Sequence, residues 1–423
     1  MFAELASRVA AFDPRDGDYA PRVVELILAA ACQHRASDVH LRPTSAGLEW
    51  QWRIDGVLQH VTTLPAASSS NIVARLKVLA ELLTYRTDLP QEGRLRPLAQ
   101  PEGRNDSHPT GDDAPAAEVE MRLSTFPTLH GEKAVVRLFA AAQHLKQLDD
   151  LHLPAQITAA LRELLTETSG AVLITGPAGS GKTTTAYACL RCLAAQGGTR
   201  SLASLEDPIE SELPAVAQSQ VNPAAGFDMT TGLRSLLRQD PEVLLVGEVR
   251  DRATAETLLQ ASLTGHLVLS TFHAGSAATA IHRLLDMAIE PYLLRSGIRA
   301  IVSQRLVRRL CRCAGPAAGD EERLGLPLER VMVPRGCATC HGTGYDGRLP
   351  MAELLRLDDP ELGRAILERA DAPRLEALAV AAGMTTSYAR AVAAVAEGIT
   401  SPAEERRVFG FSAGMAASPL GGD

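Results

Sequence analysis

The sequence predicts an α/β protein: a mostly parallel, doubly wound sheet preceded by a smaller α+β domain. Three observations predict it. The run Gly176-Pro177-Ala178-Gly179-Ser180-Gly181-Lys182-Thr183 has the phosphate-loop spacing and stands between an apolar stretch at 171–174 and a helical one from Thr184 onward. Downstream, short apolar runs alternate with helical patterns, as strands of a parallel sheet must alternate with their crossover helices. Upstream, Leu48, Trp50, Trp52 and Ile54 recur at every second position, the period of a half-buried strand.

At 423 residues the chain is long enough for two or three domains with a sizeable core. Hydrophobic residues make up 46% and charged residues 22%, which places it with soluble globular proteins. The net charge of -8 argues against broad nucleic-acid binding, which depends on neutralising phosphates, and no direct nucleic-acid partner is expected. The first residues lack a basic segment followed by an apolar core, so no secretory signal is predicted. No run approaches the ~20 apolar residues that span a bilayer. A cytoplasmic protein is expected, with membrane association only peripheral and through partners.

Taken in order, residues 21–36 read as an amphipathic helix through Val23, Val24, Leu26, Ile27 and Leu28. Val39 and Leu41, then 48–54, read as strands, with Asp55-Gly56 as a hairpin turn. Residues 71–83 are helical by the spacing of Ile72, Leu76, Leu79 and Leu83. Strands are expected at 94–98, 118–123 and 134–139. Between the first two, 99–117 is rich in Pro, Gly, Asp and Ser and reads as a long, exposed, disordered loop. The first domain thus covers 1–140, a linker 141–154, and the phosphate-loop domain 155–305, with strands at 171–175, 201–205, 243–246 and 267–271. Ligands of open α/β sheets bind beyond the carboxyl ends of the strands, so polar residues there should converge on the loop.

The chemistry is set by residue type. Glycines let backbone N–H groups face phosphate oxygens, and the helix N-terminus adds partial positive charge. Residues 176–184 are therefore assigned to a nucleoside triphosphate: Lys182 to its β- and γ-phosphates, Thr183 also to Mg²⁺, Thr184 in the same helical turn. Glu248, at the end of the strand at 243–246, occupies the place of a metal-side acid, and Glu206, ending the strand at 201–205, that of a base that polarises the attacking water. Asp207 and Glu210 suit the cap and first turn of the segment after that strand, with Pro208 at an allowed early position. His266 and His273 flank the strand at 267–271, where a histidine either senses a γ-phosphate or serves the strand end structurally.

Seven cysteines are present. Cys189 and Cys192, three apart on the helix after the loop, suit small buried hydrophobes. Cys311, Cys313, Cys337 and Cys340 look like a metal site in a reducing compartment.

Several ordered stretches resemble the type II secretion and type IV pilus assembly ATPases. Residues 238–251, ending Gly247-Glu248-Val249-Arg250-Asp251, followed by Glu256 and by 263–273, are similar to the Walker B and histidine boxes, and Glu206-Asp207-Pro208-Ile209-Glu210 to the aspartate box. Residues 35–40, 53–58, 90–94, 121–127 and 130–132 resemble the PAS-like N-terminal domain, and 336–348 and 383–408 complete the match. The likeness runs from about residue 21 to 408.

It implies a RecA-like P-loop ATPase domain behind a PAS-like α+β domain, with a tetracysteine element at 306–350 and a helical region at 351–423 ending in a disordered tail. It implies a homo-hexamer that hydrolyses ATP with Mg²⁺ and drives assembly of a pseudopilus or pilus-like filament at the inner membrane, against a platform protein and cytoplasmic-domain partners. Glu206 would act on water, Glu248 on magnesium, His273 on the γ-phosphate. Arg94 and Arg122 match positions where the N-terminal domain supplies arginines to the nucleotide, a role suited to a planar, always-charged guanidinium. The four cysteines would hold Zn²⁺, although Cys311-Arg312-Cys313 has one intervening residue where the family usually has two; His341 is an alternative ligand. A pilus retraction ATPase, a nucleotide-gated scaffold with little turnover, and a DNA-handling ATPase of related fold are the competing readings. Retraction ATPases lack the cysteine element, intact Lys182, Glu206 and Glu248 oppose the scaffold, and the acidic charge opposes DNA handling.

Overall fold

The computed structural model describes residues 1–95, 119–138, 147–197 and 200–411. The loop expected at 99–117, part of the expected linker, and the tail from 412 lie outside the described residues. The chain divides into two compact units, Met1–Gln143 and His144–Asp423.

In the first unit, helices α1 (Phe2–Ala10), α2 (Tyr19–Gln33) and α3 (Ser69–Leu79) accompany strands β1 (Asp38–Thr44), β2 (Gly47–Ile54), β3 (Val57–Leu64), β4 (Gln91–Leu95), β5 (Met121–Thr128) and β6 (Gly131–Leu138). The strands form one antiparallel sheet in the order β3-β2-β1-β6-β5-β4. Alternation decides which side is buried: Leu48, Trp50 and Trp52 of β2 are fully enclosed and join Val23 and Ile27 of α2 in the core. The β2–β3 turn has positive φ at both central residues, Asp55 (48°) and Gly56 (82°), the left-handed geometry that makes Asp-Gly a hairpin signal. One buried cation is paired: Lys77 Nζ donates to Glu132 Oε1 (2.9 Å) and to the Arg86 carbonyl (2.6 Å). The strand expected at 118–123 extends to Thr128 and turns directly into β6; its outer half, Ser124 to Pro127, alternates too weakly in hydrophobicity to read as strand.

The second unit contains α4 (Ala155–Leu164), β7 (Gly170–Thr175), α5 (Lys182–Ala194), β8 (Leu202–Glu206), β9 (Ala217–Gln220), α6 (Met229–Leu236), β10 (Val243–Glu248), α7 (Arg252–Leu263), β11 (Leu267–Phe272), α8 (Ala277–Asp286) and α9 (Pro291–Gly297). There follow β12 (Ile298–Leu310), the short pair β13 (Gly315–Pro316) and β14 (Met332–Val333), β15 (Tyr345–Arg356), and α10 (Pro360–Leu367), α11 (Ala372–Ala381), α12 (Ser387–Ala396) and α13 (Pro402–Phe409). The main sheet has the order β15-β12-β7-β11-β10-β8-β9, parallel throughout except for β15. Both faces are covered, so β7 and β11 are buried along their whole length, and an apolar cluster fills each side.

β12 runs without interruption through position 305 and β15 through position 350, so two strands join stretches that the sequence divides. β15 hid because five of its twelve residues are charged or proline. Its Glu353, almost fully buried, accepts from the first N–H of two helices, Ala277 of α8 (2.7 Å) and Ser387 of α12 (2.8 Å). A carboxylate facing two helix N-termini satisfies orphan donors and meets the positive end of both dipoles. The C-terminal helices are thereby tied to the sheet.

Candidate active site

The loop between β7 and α5 sits at the carboxyl edge of the central strands, and its glycines are required there. Gly176 has φ 150°, and a Cβ on it would lie 2.3 Å from the Gln304 carbonyl oxygen and 2.5 Å from Ser180 Oγ. Gly181, the residue before α5, has φ 87°. Gln304 of β12 pins the turn from beneath: its Nε2 donates to the Ser180 carbonyl (2.7 Å) and its Oε1 accepts from Thr185 Oγ1 (3.0 Å). Lys182 folds back over the loop and donates to the carbonyls of Gly176 and Pro177, both at 3.0 Å. Burial lowers the pKa of its ammonium, while Glu248 and Glu210 oppose that shift. Thr183 is half-buried in the first turn, and Ser180 Oγ is a buried polar atom with no partner. A cradle that a Cβ would fill, an orphaned hydroxyl and a lysine held only by carbonyls are a donor set that suits a phosphate chain.

Glu206 ends β8 and is 3% exposed. Its carboxylate accepts from Tyr187 of α5, from Ser204 Oγ (2.5 Å) and from Gln218 Nε2 of β9 (3.1 Å). Glu248 ends β10, and its two oxygens meet cationic or ionisable groups: His273 Nε2 lies 2.7 Å from Oε1, and Arg250 Nε donates to Oε2 at 2.8 Å. Arg250 also reaches Asp207 Oδ2 at 3.3 Å, so it bridges the ends of β8 and β10. Thus Glu248 and His273, 25 positions apart, are in direct contact, and Glu206 lies on the adjoining strand.

Other candidates fall elsewhere. His266 Nδ1 lies 3.1 Å from the Ala261 carbonyl at the end of α7, which is a local structural use. Arg94 and Arg122 belong to the first unit, where they are direct partners in the β4–β5 register and both pair with Glu120, at 2.9 and 3.4 Å. Sequence reasoning left Gln304, Tyr187, Ser204, Gln218 and Arg250 without a role. Arg250 stands two residues beyond Glu248 and Tyr187 one helical turn beyond Thr183, spacings that were available as signals. Gln304 carries none.

The β12–β15 hairpin tip gathers Cys311, Cys313, Cys337 and Cys340, all four sulfurs lying within 4.8 Å of one another. Sγ separations are 3.8 Å for 311–337, 3.7 Å for 313–340 and 3.6 Å for 337–340. A tetrahedron with metal–sulfur bonds of about 2.3 Å has edges of about 3.8 Å. The 311–337, 313–340 and 337–340 separations match that edge, and the four thiols could hold a metal. A backbone N–H from Cys340 brings the Cys337 thiol down to about 6, whereas desolvation raises Cys313 to about 11. His341 is exposed and outside the group.

Fold and loop together define an α/β protein with a phosphate-binding loop at the carboxyl edge of its sheet, and comparison with known proteins narrows this. Residues 14–407 match the family described as Type II/IV secretion system protein, and the chain belongs to that family. The type II secretion system protein HxcR of Pseudomonas aeruginosa is 37% identical over 94% of this chain and 78% of its own length. The type II secretion system protein E of the same organism is 41% identical over 80% of this chain and 65% of its own. The type IV pilus assembly ATPase PilB of Thermus thermophilus is 37% identical over 91% of this chain, which spans 42% of that longer protein. Among solved structures, the Legionella pneumophila ATPase DotB has a TM-score of 0.62 at 20% identity, covering 92% of this chain and 95% of that one. The pilus retraction motor PilT with bound ADP has 0.58 at 22%, covering 91% and 96%. These two likenesses concern the fold. Among the described residues, no helix is long and apolar enough to cross a membrane.

Proposed function

We propose that this chain is a Mg²⁺-dependent ATPase whose hydrolysis powers assembly of a type II secretion pseudopilus or a type IV pilus-like filament. The observation that carries the reading is the meeting of the phosphate loop, Glu206 and the Glu248–His273 pair at one edge of one sheet. Lys182 turns its donors from the loop carbonyls to the β- and γ-phosphates, and the loop N–H groups hold the chain of oxygens. Magnesium, when bound by Thr183 and Glu248, supplies positive charge against the phosphate oxygens. Glu206 accepts a proton from water as the water oxygen bonds to the γ-phosphorus; the bridging P–O bond breaks and ADP leaves with the electron pair. His273, in contact with Glu248, reports whether a γ-phosphate is present.

In this reading the second unit is the RecA-like ATPase and the first is PAS-like. Six copies form a ring at the cytoplasmic face of the inner membrane, against a platform protein and its cytoplasmic-domain partners. Arg94 and Arg122, side by side on β4 and β5, supply guanidinium charge to a nucleotide. The four cysteines hold Zn²⁺, which fastens the hairpin tip. Relatives at 37–41% identity named for secretion and pilus assembly support this over retraction. The test is phosphate release by the purified full chain with MgATP, with Lys182→Ala as the control and metal analysis in parallel. Release that Lys182→Ala abolishes, with about one zinc per chain, supports the reading. Release unaffected by Lys182→Ala overturns it.

A further inference from the structure

We propose that Tyr187 is a positioning residue that aims the Glu206 carboxylate at the attacking water. The proposal rests on the reading of Glu206 as the base and adds what makes that base directional.

Tyr187 lies four positions after Thr183 on α5, which puts the two on one face of the helix that starts at the phosphate loop. Its side chain is buried, its hydroxyl donates to Glu206 Oε2, and the same hydroxyl accepts from the Glu210 N–H at 3.1 Å. Both capacities of the phenol are used on the segment that bears the base. Burial, helped by the neighbouring Glu206, raises the phenol well above its ordinary range, so it remains a donor at any working pH.

An ionised carboxylate offers about four lone-pair positions. Ser204 and Gln218 occupy Oε1, and Tyr187 occupies one position on Oε2. The acceptor site that remains is on Oε2, beside the phenol. The three donors come from α5, β8 and β9, all regular elements, so the carboxylate is held by rigid supports in one rotamer. All three donors are neutral, so they orient the carboxylate without cancelling its charge. Because α5 also carries Lys182 and Thr183, the element that grips the phosphates is the one that aims the base.

A merely structural tyrosine would make the same contacts, so the test must separate the two roles. Steady-state hydrolysis by the full chain is measured for Tyr187→Phe, Glu206→Gln and the double variant. We expect Tyr187→Phe to lower kcat by about 10- to 100-fold with KM for ATP within about twofold, the scale of a small misplacement of a reacting group. In the Glu206→Gln background the same substitution should cost nothing further, because a residue acting through Glu206 has nothing left to act on. Wild-type kcat in Tyr187→Phe, or an equal fold loss in both backgrounds, overturns the proposal. Should Tyr187→Phe melt early, the same cycle is run well below its melting temperature, with circular dichroism confirming the fold; an undiminished kcat there also overturns it. Wild-type turnover in Glu206→Gln is a separate result: it removes the reading of the base itself.

Discussion

Glu206 closes β8 and Glu248 closes β10, on neighbouring strands of the same sheet, and their surroundings are opposite in kind. Glu206 is 3% exposed and takes hydrogen bonds from two hydroxyls and an amide. Glu248 has a side chain 19% exposed and is flanked by His273 and Arg250. Neutral donors fix a carboxylate's direction and leave its charge available to a proton. A guanidinium and an imidazole set against a carboxylate instead mark a place where positive charge is wanted, which a divalent cation can take over. The different company of the two acids is what the proposed division into a base and a metal-side acid rests on, a division that the sequence supports only by position.

The sharpest way to break this comparison is to remove the charge of each acid in turn. Glu206→Gln should lower kcat by about 10³-fold, within the usual range for losing a positioned general base, with nucleotide affinity nearly unchanged. Fluorescent-nucleotide binding beside steady-state hydrolysis checks it, and a loss of affinity as large as the loss of turnover would place Glu206 on the metal side instead. Glu248→Gln should lower turnover by about 10²-fold and raise the Mg²⁺ concentration for half-maximal rate at least tenfold, since one anionic ligand is gone. A Mg²⁺ titration that superimposes on wild type would remove the asymmetry between the two strand ends.

The spacing of the two ends rests on Gly247. A Cβ there would lie 3.1 Å from Glu206 Cα and 3.3 Å from the Leu205 carbonyl oxygen, tighter than ordinary packing, and β10 is irregular at this point in its pairing with β11. Gly247→Ala should therefore move the ends of β8 and β10 apart by a few tenths of an ångström and lower kcat about tenfold while the fold survives. Unchanged kinetics would show that the acids work at independent distances.

How much of this was legible depends on how local each feature is. The phosphate loop, and the acids that end two apolar strands, are written into short continuous segments, and the structure brings Glu248 and His273 into contact. The cysteine group was legible from the spacing of Cys311, Cys313, Cys337 and Cys340, and the structure draws the four sulfurs together from the segments that follow β12 and precede β15. What stayed hidden is what depends on register. Gln304 meets Thr185 across 119 positions, on a strand whose arginines disguise it. Arg94 and Arg122 become partners only once β4 and β5 are aligned. Tyr187 and Gln218 have no role until α5, β8 and β9 are packed around Glu206.

The smallest expected effect comes from Arg250, the cation that joins the two strand ends. Its side chain is 63% exposed, so its bonds to Glu248 and Asp207 are screened, and an exposed pair contributes about 1 kcal/mol or less to stability. Arg250→Ala should leave the melting temperature within about 2 °C of wild type. Its effect should fall on metal use: with one competing cation removed from Glu248, the Mg²⁺ concentration for half-maximal hydrolysis should drop about two- to fivefold, and the difference should shrink at high salt as surface charges are screened. The opposite sign is the informative failure. If Arg250→Ala raises the Mg²⁺ requirement or collapses turnover, the guanidinium touches the phosphates during the reaction, and the end of β10 supplies charge of its own beside the metal's.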